Sequence, residues 1–140
     1  MSKETGFETL PPRMLPALND DNRAFWTGGS EGRLMILRCQ TCEIWVHPTT
    51  STCPKGHEAL VPTQASGRGL IWTYTVNRHP FHPSVPVPYI VAIVELAEQA
   101  DLRIVANIIG CRPEDMSVGM SVRVSFEEQG EVFVPVFAPE

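Results

Sequence analysis

From Gly67 to its end the chain is patterned as strands. Ser121-Val122-Arg123-Val124-Ser125-Phe126 alternates, putting Val122, Val124 and Phe126 on one face and polar side chains on the other. Leu70-Ile71-Trp72-Thr73-Tyr74-Thr75-Val76 mixes β-branched and aromatic residues at strand density, and residues 89–96 and 102–109 repeat that texture. Gln129-Gly130 reads as a turn, after which Val132-Phe133-Val134-Pro135-Val136-Phe137 completes a hairpin. Pro135 has no amide to give a ladder, so the pattern predicts an edge or a bulge there. Five strands over residues 65–140 predict a small closed barrel of the oligonucleotide/oligosaccharide-binding (OB) type.

The first half carries different textures. Residues 1–15 are polar and proline-bearing and predict a loose arm. Asn19-Asp20-Asp21-Asn22-Arg23-Ala24-Phe25-Trp26 predicts a short helix capped by Asn19 or Asp20, with acids favoured in its first turn and Gly28-Gly29 ending it. Phe25 and Trp26 are large enough that they must dock on the core or on a partner. In residues 33–64, Leu34-Met35-Ile36-Leu37 leads into a cysteine pair, and turn-formers dominate up to Cys53-Pro54-Lys55-Gly56-His57. The predicted organisation is an arm and helix over 1–32, a zinc-ribbon-like knuckle over 33–64 and the barrel over 65–140. The fold class is mostly β.

Composition narrows this picture. Thirteen prolines and ten glycines in 140 residues favour many turns and short strands over long helices. A net charge of −5 weighs against a protein that coats phosphates, and so against a nucleic-acid partner. No apolar run approaches the roughly twenty residues that cross a bilayer. The N-terminal residues lack the basic and then apolar order of a secretory signal, which predicts the cytoplasm and no membrane partner. Four cysteines in that compartment favour thiols and metal ligation over disulfides.

Cys39-Gln40-Thr41-Cys42 is a CxxC pair, and Cys53 follows after ten intervening residues. A zinc knuckle brings two such pairs together so that four ligands converge tetrahedrally on one ion. The second pair departs from pattern: Gly56 stands where a fourth cysteine would, and His57 lies just beyond. Cys39, Cys42, Cys53 and His57 then form a Cys3His set, the candidate ligands of a structural zinc. His47, followed by Pro48, is the weaker substitute. Two further readings stay open: a metal-free knuckle whose thiols are buried as small hydrophobes, and a redox CxxC, which no βαβ pattern supports. A closed tetrahedral site leaves no position for substrate in any case.

Candidates for other chemistry are isolated. Cys111 follows an apolar run at a strand end, with no histidine patterned beside it as a base, and reads as a core cysteine before a nucleophile. Asn77-Arg78-His79-Pro80-Phe81-His82-Pro83 is a stiff proline-laden connection, suited to projecting Phe81 into a partner or ligand groove. Its histidines, His79 and His82, are placed for contact before catalysis. Arg68, Arg78 and Arg103 are candidates for a basic edge. Trp72 and Tyr74, two apart, are expected on one face, where they would either stack bases or pack. No glycine-rich phosphate loop or nucleophile elbow occurs. No residue is therefore assigned a catalytic or cofactor-binding role beyond the metal ligands.

In order along the chain, Phe25-Trp26, Gly32 through Cys42, Cys53-Pro54, Gly67 through Val76, Pro88 through Leu96, Val118 through Phe126 and Pro135-Val136-Phe137 resemble the DUF35 family. The likeness covers roughly residues 16–138. It implies an N-terminal helix, a rubredoxin-like zinc ribbon and a C-terminal OB barrel. It further implies an accessory, non-catalytic subunit, bound in a hetero-oligomer to a thiolase-fold enzyme (a thiolase or a steroid side-chain aldolase) that acts on acyl-CoA thioesters. Such a subunit would stabilise its partner and help shape the acyl-CoA site. A MaoC-type enoyl-CoA hydratase is the alternative partner, and a nucleic-acid-binding ribbon-and-barrel module the alternative function.

Overall fold

The computed structural model describes residues 13–140, so the expected loose arm lies outside the described residues except for its last three. The first helix, α1, spans Arg23–Thr27. Asn19 caps the turn that enters it, its Oδ1 accepting from the amides of Asp21 and Asn22, each at 2.9 Å. Phe25 is buried, and Trp26 packs half-buried beside it against the core.

The α-helix ends at the glycine pair as expected, with Gly28 its C-cap, but the chain does not straighten there. Gly28 keeps helical angles, and the chain runs on as a 3-10 turn, Gly28–Glu31, until Gly32 closes it at φ 72°. The reason for Gly28-Gly29 is space. A Cβ on Gly29 would lie 2.5 Å from Phe133 Cβ and 2.6 Å from the Phe126 ring, and one on Gly28 would lie 2.6 Å from the Arg33 carbonyl oxygen. Only bare backbone lets this turn press on the barrel.

Three strands form the ribbon sheet: β1 (Leu34–Cys39), β2 (Trp45–Val46) and β3 (Leu60–Ala65), in the order β2-β1-β3 and all antiparallel. The barrel follows as β4 (Arg68–Asn77), β5 (Tyr89–Leu96), β6 (Arg103–Ile108), β7 (Ser121–Gln129) and β8 (Val132–Pro139). It closes in the order β4-β5-β6-β8-β7, with β6 and β8 meeting in parallel at Ile108 and Phe137. This is the five-stranded OB arrangement predicted from sequence. Pro135 lies where β8 pairs with β7 alone, opposite Phe126, in keeping with its missing donor.

One core serves both parts. Phe25, Leu34, Ile36 and Ala65 from the N-terminal half cluster with Ile71, Val94, Val122 and Phe137 from the barrel. A side-chain clamp adds to it. Gln99, in the turn between β5 and β6, accepts from the Trp45 amide and donates to the Trp45 carbonyl, both at 3.0 Å. The amide thus extends β2 as a strand neighbour would, tying ribbon to barrel.

The barrel register shifts once, between Ile71 and Thr73 on β4. Ile71 points inward opposite Val94, whereas Trp72 and Thr73 both face out, and Tyr74 turns back toward the core. Trp72 and Tyr74 therefore do not share a face, contrary to their spacing. The extra residue of a β-bulge reverses the alternation. Among the described residues no helix is long and apolar enough to cross a membrane.

Candidate metal centre and its surroundings

Cys39 ends β1, and the chain turns back at once. The Glu43 amide donates to the Cys39 carbonyl at 2.8 Å, with Glu43 itself at φ 65°. The second knuckle repeats the move: the Gly56 amide donates to the Cys53 carbonyl at 2.8 Å, and Gly56 takes φ 88°. A left-handed residue is required at Gly56, and a Cβ there would meet nothing within 4 Å. Gly56 supplies the turn, and His57 the side chain that reaches back.

These turns bring Cys39, Cys42, Cys53 and His57 together, with one donor atom from each, all within 4.8 Å of one another. Cys42 Sγ and Cys53 Sγ are 3.8 Å apart; His57 Nδ1 is 3.4 Å from Cys53 Sγ and 3.7 Å from Cys39 Sγ. Zinc bonds of about 2.3 Å to sulfur and about 2.0 Å to nitrogen give tetrahedral edges of about 3.8 Å (S···S) and about 3.5 Å (S···N). The donor set fits a zinc ion. All four cysteines are free thiols.

The surroundings favour the thiolate at Cys39 but push the Cys42 thiol up. The Cys42 amide, 3.5 Å from Cys39 Sγ, is the main influence that brings the Cys39 thiol down to about 6 from its usual 9. A lowered thiol is thiolate at neutral pH, the form a metal takes. Cys39 and Cys53 are buried, and Cys42 and His57 are half-buried. His47 stands apart from it. Its ring packs 4.9 Å from that of Phe25, its Nδ1 is buried without a partner, and burial drops its pKa to about 4.

The other candidates are scattered. Cys111 is half-buried against the core, with its Sγ directed to the Arg112 carbonyl at 3.4 Å, as a strand-end cysteine would be. His82 Nδ1 is engaged by the Ser84 hydroxyl at 2.7 Å, and His79 packs its ring 4.5 Å from Phe81. Phe81 itself is 75% exposed. Arg68, Arg78 and Arg103 do not make a continuous basic edge: Arg68 pairs with Glu140 at 3.2 Å, Arg103 with Asp101 at 2.9 Å, and Arg78 is exposed in the loop after β4. The Arg103 guanidinium also lies over the Trp72 ring, 3.8 Å from its centroid. Sequence reasoning missed this stack and the Gln99 clamp, since neither pair of residues is near in sequence.

Comparison with known proteins shows the family. Residues 26–58 match the family model for "ChsH2, rubredoxin-like zinc ribbon domain", and residues 62–127 match "ChsH2, C-terminal OB-fold domain". The chain is 37% identical over 134 residues to the "Probable enoyl-CoA hydratase alpha subunit" of Thermomonospora curvata, covering 94% of this chain but only 41% of that protein. It is 35% identical over 96 residues to a "DUF35 domain-containing scaffold protein" of Methanocaldococcus jannaschii, covering 66% of this chain and 67% of the relative. A solved chain of the "Ltp2-ChsH2(DUF35) aldolase" superposes with a TM-score of 0.79 at 39% identity, covering 89% of this chain and 98% of that one. With a zinc-ribbon match and a donor set of the right size, zinc is the structural cofactor.

Proposed function

Because this chain belongs to the DUF35 family, we propose that it is a non-catalytic accessory subunit of an enzyme acting on acyl-CoA thioesters. One observation carries the reading: the chain covers 98% of a chain from an aldolase assembly, at 39% identity. Relatives named as hydratase alpha subunits support a wider class of acyl-CoA chemistry for the partner. Within that class we favour a thiolase-fold partner, such as a thiolase or steroid side-chain aldolase. The partner would hold the reacting groups, while this chain would stabilise it and complete the wall of the acyl-CoA site, in the cytoplasm.

The residues support a bracing role. Cys39, Cys42, Cys53 and His57 are our proposed zinc ligands; zinc here would lock two backbone turns and so fix the end of β1. The single thiol outside the knuckle, Cys111, is directed at a carbonyl and not at a base. A thioester condensation needs a nucleophile, a base and an oxyanion hole in one cavity. Base stacking gains no support either, since Trp72 and Tyr74 face opposite ways.

Co-expression with a thiolase-fold enzyme encoded beside this chain tests the reading. A stable hetero-oligomer should co-elute, and the enzyme should lose stability or acyl-CoA turnover when this chain is withheld. Separate elution with full activity of the enzyme alone would sink the proposal.

A further inference from the structure

The outer face of β4, β5 and β6 differs from the remaining barrel surface. Pairing puts Thr73, Ile93 and Val105 in one row, and Thr75, Val91 and Asn107 in the next. Ile90, Ala92 and Val94 point inward on β5, so Val91 and Ile93 point out. Val105 is 67% exposed at the middle of this grid. A shallow groove of about 360 Å³ lies over it. None of the six side chains ionises, and the one amide is satisfied: Asn107 accepts from Arg13 at 3.0 Å and donates to the Ile90 carbonyl at 2.9 Å.

Both ends of the face are defined. At one, Trp72 is 46% exposed beneath the Arg103 guanidinium. At the other, β4 and β5 run from the Asn77–Tyr89 pair into the 78–88 loop that carries Phe81. That loop is held, with Asn77 Nδ2 donating to the His79 carbonyl at 2.9 Å and the Phe81 amide donating to the same carbonyl at 2.9 Å. Pro80, Pro83, Pro86 and Pro88 stiffen it further. An aromatic held out in water on a stiff loop has already lost the entropy that binding would otherwise cost.

We propose that this face, with Phe81 at its edge, is the surface on which the enzyme subunit docks. This rests on the accessory-subunit reading above. Charge selects the occupant. The cations beside the strands of the face are paired, Arg103 with Asp101 at 2.9 Å and Arg13 with Glu127 at 2.7 Å, and a single exposed arginine, Arg78, stands in the loop beyond. A phosphate backbone or an anionic headgroup needs a row of spare positive charges, and the strands of this face offer none among the described residues. An uncharged apolar centre ringed by paired ions is instead the anatomy of a protein interface. The partner must present an apolar, uncharged surface to Val105 and a pocket to Phe81, the kind of aromatic anchor that dominates binding energy.

The test uses the full chain carrying Val105→Asp or Phe81→Ala, titrated with the enzyme subunit, with melting curves and elution of each chain alone as controls. Both side chains are exposed, so both variants should melt as the parent does, and each should weaken binding at least tenfold. If the parent binds and either variant binds as tightly, the surface assignment is wrong while the accessory reading stands. If the parent does not bind at all, the accessory reading fails first. Self-association that Val105→Asp abolishes would give the face to a second copy and overturn the proposal.

Discussion

Replacing His57 by alanine removes one corner of the proposed zinc site and leaves the other three in place. Its Nδ1 sits 3.4 Å from Cys53 Sγ and 3.7 Å from Cys39 Sγ, edges that a shared ion would span. Structural zinc in small domains is bound by about 10–16 kcal/mol, or about 3 kcal/mol for each of four ligands. That share corresponds to roughly a hundredfold in affinity. Competition against a chromophoric chelator, with metal content measured after dialysis, should show His57→Ala losing zinc at chelator levels the parent tolerates. His47→Ala is the control: that ring packs on Phe25 and should leave the metal untouched. Unchanged affinity in His57→Ala, or zinc loss in His47→Ala, would refute the ligand assignment.

Three other outcomes follow from the geometry. Gly29→Ala forces a Cβ to 2.5 Å from Phe133 Cβ, an overpacking that should cost about 1–3 kcal/mol and lower the melting temperature. A melting point unchanged in Gly29→Ala would contradict the steric account. Gln99→Ala leaves the Trp45 amide and carbonyl without their side-chain partner and should cost about 1–3 kcal/mol in denaturant unfolding; no shift in midpoint would mean the clamp adds nothing. Burial holds His47 near a pKa of about 4, below the roughly 6.5 of a free imidazole, so the unfolded chain takes up the proton first. The stability tied to neutral His47 is complete above about pH 6.5 and drains as pH falls toward about 4. Between those limits the parent should weaken relative to His47→Phe, and parallel stability curves would count against the assignment.

The barrel was legible because its signal is local. Alternation in residues 121–126 and the β-branched run at 89–96 each report a strand without reference to any other part of the chain. The ribbon was half legible. The CxxC pair and His57 stood out, whereas β3 did not, because Val61-Pro62 inside it argues against a strand. Gly28-Gly29 was read as a stop signal, and α1 does stop there, but Gly29 also makes a close approach to Phe126 and Phe133, about a hundred residues away in sequence. No local rule distinguishes a glycine that ends a helix from one that makes room. The Gln99 clamp was hidden for the same reason, since a turn glutamine reads as solvated until the neighbouring strand is in place.

A single inserted residue decides between two functions that share this architecture. Without the shift between Ile71 and Thr73, Trp72 would keep step with Tyr74, and an aromatic pair on one face is what a single-strand binder uses to stack bases. With it, Tyr74 is committed inward, where its hydroxyl donates to the Met116 carbonyl at 3.3 Å. Trp72 is left alone outside, and Arg103, the cation best placed to meet a phosphate beside it, covers its ring while paired to Asp101. Past the bulge the outward positions of β4 become Thr73 and Thr75, small side chains that leave Ile93 and Val105 uncovered. The same bulge that dismantles a stacking platform thus levels an apolar face, and that exchange favours a protein partner for this barrel over a nucleic acid.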